Sequence, residues 1–156
     1  MDLVVLTKGN KYIVEDKKSR LLYTVKKKGF GNSRFVLLDS SNYNLYTLLQ
    51  TGEERKPSFS IVLNDATFMT ITCKSLFLDP TILCEGKNMT FTLASKDRRE
   101  FTILSGDDTK GSISTRASVS GDLQYDITVE DKIFDDYIPL FAVIIDRAFG
   151  VMNKQK

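Results

Sequence analysis

Asp135-Asp136-Tyr137-Ile138-Pro139-Leu140-Phe141-Ala142-Val143-Ile144-Ile145-Asp146-Arg147-Ala148-Phe149-Gly150 is the segment on which the fold turns. Two acids stand in N-cap position, Pro139 falls in the first turn where its missing N–H costs nothing, and Gly150 closes the run, which together predict one helix over about residues 136–149. The β-branched Val143, Ile144 and Ile145 would suit a strand equally well, so the capping residues and Pro139 decide the reading. From Tyr137 to Ile145 the segment is apolar on every side, whereas a surface helix carries an apolar stripe backed by a polar face. Such a helix has to be surrounded. Its roughly 14 residues make a rod of about 20 Å, close to the height of a barrel built from strands of about six or seven residues.

Working back toward the N-terminus, the chain supplies the strands. Thr, Val, Ile, Phe and Tyr recur in short runs broken by Asp, Asn, Ser, Gly and Lys, and up to about twelve strands fit. They are expected near 3–7, 11–15, 20–26, 34–39, 43–50, 58–64, 67–74, 82–85, 88–94, 100–104, 112–119 and 122–130. Strict alternation marks one dry face in several, as in Leu123, Tyr125, Ile127 and Val129 against Gln124, Asp126, Thr128 and Glu130. A barrel of eight strands is filled by its own side chains, whereas eleven or twelve leave room for a central helix. The fold expected is therefore mainly β: a closed antiparallel barrel of about twelve strands enclosing a hydrophobic C-terminal α-helix, as a single domain over residues 1–156.

An internal echo supports the meander. Asp16-Lys17-Lys18-Ser19-Arg20-Leu21-Leu22-Tyr23-Thr24-Val25 aligns without gaps on Asp39-Ser40-Ser41-Asn42-Tyr43-Asn44-Leu45-Tyr46-Thr47-Leu48, each copy a polar turn followed by a strand. These two runs, with the preceding Tyr12-Ile13-Val14-Glu15 and Phe35-Val36-Leu37-Leu38 and the terminal Asp136-Tyr137…Leu140…Val143-Ile144-Ile145-Asp146-Arg147, resemble the LURP-one-related proteins of the tubby C-terminal-like superfamily, which also holds the phospholipid scramblases. The resemblance runs in order from about residue 10 to 150 and implies a twelve-stranded barrel around a hydrophobic C-terminal helix. Its motifs are structural and carry no chemistry. The chain departs from the pattern by lacking glycine in the turns after Asp16 and Asp39 and by placing Pro139 in the helix. Tubby proteins bind phosphoinositides through basic residues, but no motif here matches those residues one by one.

Composition narrows the chemistry. The chain has 156 residues, 42% of them hydrophobic and 27% charged, which is ordinary for a globular domain. No secretory leader pattern opens it and no stretch approaches the ~18 apolar residues of a membrane span, so it reads as cytoplasmic. Cys73 and Cys84 then read as small reduced hydrophobes, and the Asn88-Met89-Thr90 glycosylation triplet as chance. With no histidine there is neither a Ser-His-Asp nor a Cys-His arrangement, nor an imidazole metal ligand. Two cysteines fall short of a zinc site, Gly29-Phe30-Gly31 and Gly106-Asp107-Asp108 lack the Lys-Ser/Thr of a phosphate loop, and the acid pairs Asp107-Asp108, Glu130-Asp131 and Asp135-Asp136 suit solvated turns and caps. No enzyme activity, cofactor or metal is expected.

The charge distribution is uneven. Residues 1–34 hold nine Lys or Arg against three acids, a net +6, and because the whole chain is +2 the remainder is −4. The total is too small to imply a nucleic-acid partner, but a local excess of this kind can mark a face for phosphate or acidic lipid. The same lysines also suit a sheet edge guarded against aggregation. The function expected is a protein-binding or scaffold domain without catalytic activity. The alternative is a peripheral phosphoinositide or anionic-lipid module using Lys17, Lys18, Arg20, Lys26, Lys27 and Lys28; scramblase-like or hydrolytic activity is disfavoured. The partner is accordingly an unidentified protein or an anionic membrane lipid.

Overall fold

The computed structural model describes residues 1–29, 34–53, 55–130 and 136–154. Twelve strands precede one helix: β1 (Asp2–Lys8), β2 (Lys11–Glu15), β3 (Leu21–Lys27), β4 (Arg34–Asp39), β5 (Asn44–Glu53), β6 (Lys56–Leu63), β7 (Ala66–Ser75), β8 (Thr81–Gly86), β9 (Met89–Ser95), β10 (Glu100–Ser105), β11 (Asp108–Ala117), β12 (Leu123–Val129) and α1 (Pro139–Lys154). Every strand pairs antiparallel with its neighbours in sequence, and β1 pairs with β12 from Asp2↔Thr128 to Leu6↔Gln124, so the meander closes into a barrel with no free edge. In such a meander successive connections fall at opposite ends. The β1–β2, β3–β4, β5–β6, β7–β8, β9–β10 and β11–β12 connections share one end, and those from β2–β3 to β10–β11 share the other.

The turns after Asp16 and Asp39 show why residues other than glycine suffice there. Asp16 Oδ1 accepts the backbone N–H groups of Lys18 and Arg20 at 2.8 and 3.0 Å, and Asp39 Oδ1 accepts those of Ser41 and Tyr43, both at 2.9 Å. Each aspartate closes its turn with its own side chain. The left-handed position three residues later is taken by Ser19 (φ 61°) in one copy and Asn42 (φ 66°) in the other. The sequence echo is thus one hairpin device used twice.

The inward-facing residues alternate as the pattern predicts; on β12 Leu123, Tyr125, Ile127 and Val129 are buried while Gln124, Asp126 and Thr128 are not. They close on α1, in which every residue from Leu140 to Ile145 has no exposed surface. The helix touches strands all around the wall: Phe141 packs on Phe91 of β9, Phe149 on Phe101 of β10, Asp146 bonds to β2 and β12, and Arg147 reaches β4 and β5. It is the core of the barrel.

Two helix expectations are corrected. The helix starts at Pro139, not Asp136, because the residue before proline avoids helical torsions; residues 136–138 form a tight turn in which Tyr137 and Ile138 carbonyls accept the N–H groups of Leu140 and Phe141. Asp136 accepts the Tyr23 hydroxyl, and Asp135, like Asp131, lies outside the described residues. The helix also runs past Gly150 to Lys154. Gly150 has an ordinary helical role: a Cβ there would stand 2.8 Å from Asp146 Oδ1, so glycine makes room for that carboxylate.

Candidate functional site

The six cations singled out from the sequence divide between the two ends. Lys17, Lys18 and Arg20 lie in the β2–β3 turn, whereas Lys26, Lys27 and Lys28 lie where β3 leaves for β4, at the opposite end of that seven-residue strand. A strand of that length spans roughly 20 Å. The two triplets form no common patch. In the first, Lys17 Nζ stands 3.2 Å from Asp2 Oδ2 and Arg20 Nε 2.7 Å from Asp16 Oδ2. The hydrogen bond from Lys17 holds Asp2 below the usual carboxylate range, and the backbone N–H of Arg20, aided by its guanidinium, does the same for Asp16. Much of this triplet's charge is already answered within the fold.

The second triplet joins residues that the sequence reading passed over. Lys8↔Lys11 and Lys11↔Lys26 are direct cross-strand partners, so three exposed lysines stand side by side on the outer wall of β1, β2 and β3. Exposed Lys28 and Arg34 continue the cluster, with the Lys28 N–H donating to the Arg34 carbonyl at 2.9 Å. No carboxylate lies within ion-pair distance of Lys8, Lys11, Lys26, Lys28 or Arg34 among the described residues. Like charges placed directly opposite on paired strands are destabilising. The fold carries this row at a cost. A readable signal existed: Lys8 and Lys11 flank Gly9-Asn10, so a two-residue hairpin turn must set them opposite each other.

The row belongs to a wider polarity. Among the described residues, the end bearing the β1–β2 connection carries Lys8, Lys11, Lys26, Lys27, Lys28, Arg34, Arg55, Lys56, Lys74, Lys96, Arg98, Arg99 and Arg116 against Glu53, Asp79, Asp97, Glu100 and Asp122, thirteen cations to five acids. The opposite end carries Lys17, Lys18, Arg20, Lys87 and Lys110 against Asp2, Glu15, Asp16, Asp39, Asp65, Glu85, Asp107, Asp108, Glu130 and Asp136, five to ten. Charge is therefore sorted along the barrel axis, +8 against −5 by these residues.

Inside the basic mouth, polar residues anchor the helix. The hydroxyls of Tyr12 and Tyr125 each donate to the Asp146 carboxylate at 2.6 Å. Burial first, and then the Asp146 charge, push both phenols far above their ordinary pKa, so they stay protonated donors and offer no base. Arg147 Nε donates to Gln50 Oε1 at 3.0 Å with its guanidinium 5.4 Å from the centre of the Phe35 ring. Arg99 Nη2 donates to the Asn153 carbonyl, and Asn153 Nδ2 to the Arg98 carbonyl, both at 2.8 Å. These groups position α1. Cys73 and Cys84 are free and buried, and burial raises both thiols, Cys73 to about 11.

A model of the LURP-one-related family matches residues 2–146. A protein of Arabidopsis thaliana solved by X-ray crystallography aligns over 97% of this chain and 90% of its own, at 16% identity and a TM-score of 0.43. No curated protein sequence matches the chain. Among the described residues no helix is long and apolar enough to cross a membrane.

Proposed function

The chain belongs to the LURP-one-related family, and from that premise we propose that it is a non-enzymatic recognition module that docks the basic end of its barrel onto an anionic membrane surface. The observation that carries this reading is the Lys8–Lys11–Lys26 row: three adjacent, like-charged side chains with no ion-pair partner among the described residues, which cost stability unless an anion answers them. The surrounding polarity works in the same direction, because an excess of cations at one end and of acids at the other turns that end toward a negative surface before contact. Arg98, Arg99 and Arg147 face the same end but hold the helix, so the recognition surface rests on the lysines and Arg34.

Sedimentation with phosphatidylcholine vesicles containing phosphatidylserine tests the proposal. Each basic residue near such a surface contributes about 1 kcal/mol, so changing Lys8, Lys11 and Lys26 together to glutamate should lower affinity by more than about a hundredfold. Changing Lys17, Lys18 and Arg20 to glutamate, at the acidic end, should leave retention within about threefold of wild type. Equal losses in both variants, or a wild type that ignores these vesicles at low salt, would overturn the proposal and return the protein-binding or scaffold role to first place.

A further inference from the structure

We infer that the β7–β8 connection is a membrane-insertion tip: Phe77 and Leu78 enter the acyl region of the bilayer while the lysines of the same end hold the headgroups, an inference that rests on the membrane reading above. Phe77 is 72% and Leu78 84% exposed, an adjacent aromatic and aliphatic pair projecting from the barrel into solvent. The pair stands on a built loop. Leu76 packs against the core, Ser75 Oγ donates to the Leu78 carbonyl, Thr81 Oγ1 donates to the Asp79 carbonyl at 2.7 Å, and the Pro80 carbonyl accepts the Ser95 N–H at 2.9 Å. The loop therefore holds the two apolar side chains outward in an ordered turn and does not bury them.

The topology says what they meet. The β7–β8 connection lies at the basic end, with exposed Lys74 and Lys96 nearby. Val119, fully exposed on the β11–β12 turn, reaches out from the same end, and the lysine row stands on β1, β2 and β3. The Val119 turn thus neighbours the cationic row, because β12 pairs with β1, and the Phe77–Leu78 turn stands across the same rim. A plane laid on the rim meets both sides at once, whereas a groove-filling peptide meets one. Exposed Asp79 follows Leu78 and Asp122 follows Val119, but the rim as a whole carries an excess of cations, and apolar tips on such a rim match the layering of an anionic bilayer, with hydrocarbon below and phosphate above. Lipid contact at the tips also predicts a binding component that salt does not screen.

The chain contains no tryptophan, so Phe77→Trp gives a single reporter. On phosphatidylcholine/phosphatidylserine vesicles its emission should shift to the blue and be quenched by lipids brominated along the acyl chain. A Trp replacing Tyr43, exposed at the acidic end, should show neither change. In parallel, a Phe77→Ser/Leu78→Ser double variant that melts like wild type should keep its low-salt retention but lose about tenfold or more of what remains at about 0.5 M salt, where the Debye length is only ~4 Å. Vesicle binding without quenching at position 77, or undiminished salt-resistant binding in the double variant, overturns insertion and leaves electrostatic docking standing. A wild type that does not bind overturns both. A dimer of the wild type that becomes monomeric in the double variant, seen by sedimentation velocity, assigns the tip to a second copy of the chain and likewise overturns insertion.

Discussion

Asp146 joins three elements through two hydrogen bonds, and the physical chemistry of that residue makes the strongest single-residue prediction. The Tyr125 hydroxyl is largely buried and donates to a carboxylate, and a hydrogen bond to a charged group contributes about 1.5–3 kcal/mol. Tyr125→Phe should therefore lower unfolding free energy by about that amount in urea titrations. A loss below about 0.5 kcal/mol would show that Asp146 is satisfied without it. The turn aspartates govern acid behaviour. Asp97 Oδ1 accepts the N–H groups of Arg99 and Glu100, both at 2.9 Å, and the Glu100 bond first among its partners holds its carboxyl below the usual range. With the folded-state pKa below the unfolded value, the unfolded chain binds more protons in acid, so the stabilisation is present above about pH 4 and is lost as pH falls through the folded-state value. Melting temperature should drop over that window, and Asp97→Asn should make the drop shallower. These partnerships were not legible beforehand: Asp146 and Arg147 entered only as the last residues of the run that carries the family resemblance, because their partners lie on strands more than twenty residues away in sequence.

At the scale of elements, the helix shows both the reach of local signals and their limit. All-round apolarity identified α1 as enclosed, because no solvent-facing helix lacks a polar side. The reading of Gly150 as its end failed, since local rules treat glycine as a stop while the structure uses it for space beside Asp146. That difference is testable. Gly→Ala inside an ordinary helix stabilises by about 1 kcal/mol, yet Gly150→Ala would press a methyl group within 2.8 Å of a carboxylate oxygen already held by two tyrosines. It should destabilise instead, and the same substitution in a Tyr12→Phe/Tyr125→Phe background, where Asp146 can move, should be less costly. Thermal melts of the four proteins decide it. The strands were more legible than the helix ends. Lys11–Glu15 and Arg34–Asp39 were placed to the residue, and most of the others within two, because β-rich runs were bounded by turn formers whose side chains close the turns. β11 was the larger miss: it starts at Asp108, four residues early, where its polar Asp-Thr-Lys-Gly opening pairs with β10 from Asp108 and with β12 only from Gly111, in a sequence that does not resemble a strand.

For the whole molecule, the enclosed helix makes the barrel dependent on its last segment. Tyr137, Ile138, Leu140, Phe141, Val143, Ile144 and Ile145 are each at most 2% exposed. Each contributes roughly 1.5–3 kcal/mol on burial against a typical net stability of about 5–15 kcal/mol. A chain ending at Glu130 should therefore show no cooperative thermal transition by circular dichroism; a sharp one would mean that the strands close around a core of their own. The number of strands, their antiparallel order and the place of the helix were determined by the sequence alone, because alternation, turn chemistry and all-round apolarity are local properties that admit few closed arrangements. The proposed binding surface was decided only by the tertiary structure. Residues 17–28 are contiguous in the chain, yet one strand carries them to both ends of the barrel, while Lys8, Lys11 and Lys26 come side by side through hairpin register. In an up-and-down barrel, charge that is close in sequence is split by each strand, and charge that stands together is assembled by the register of paired strands.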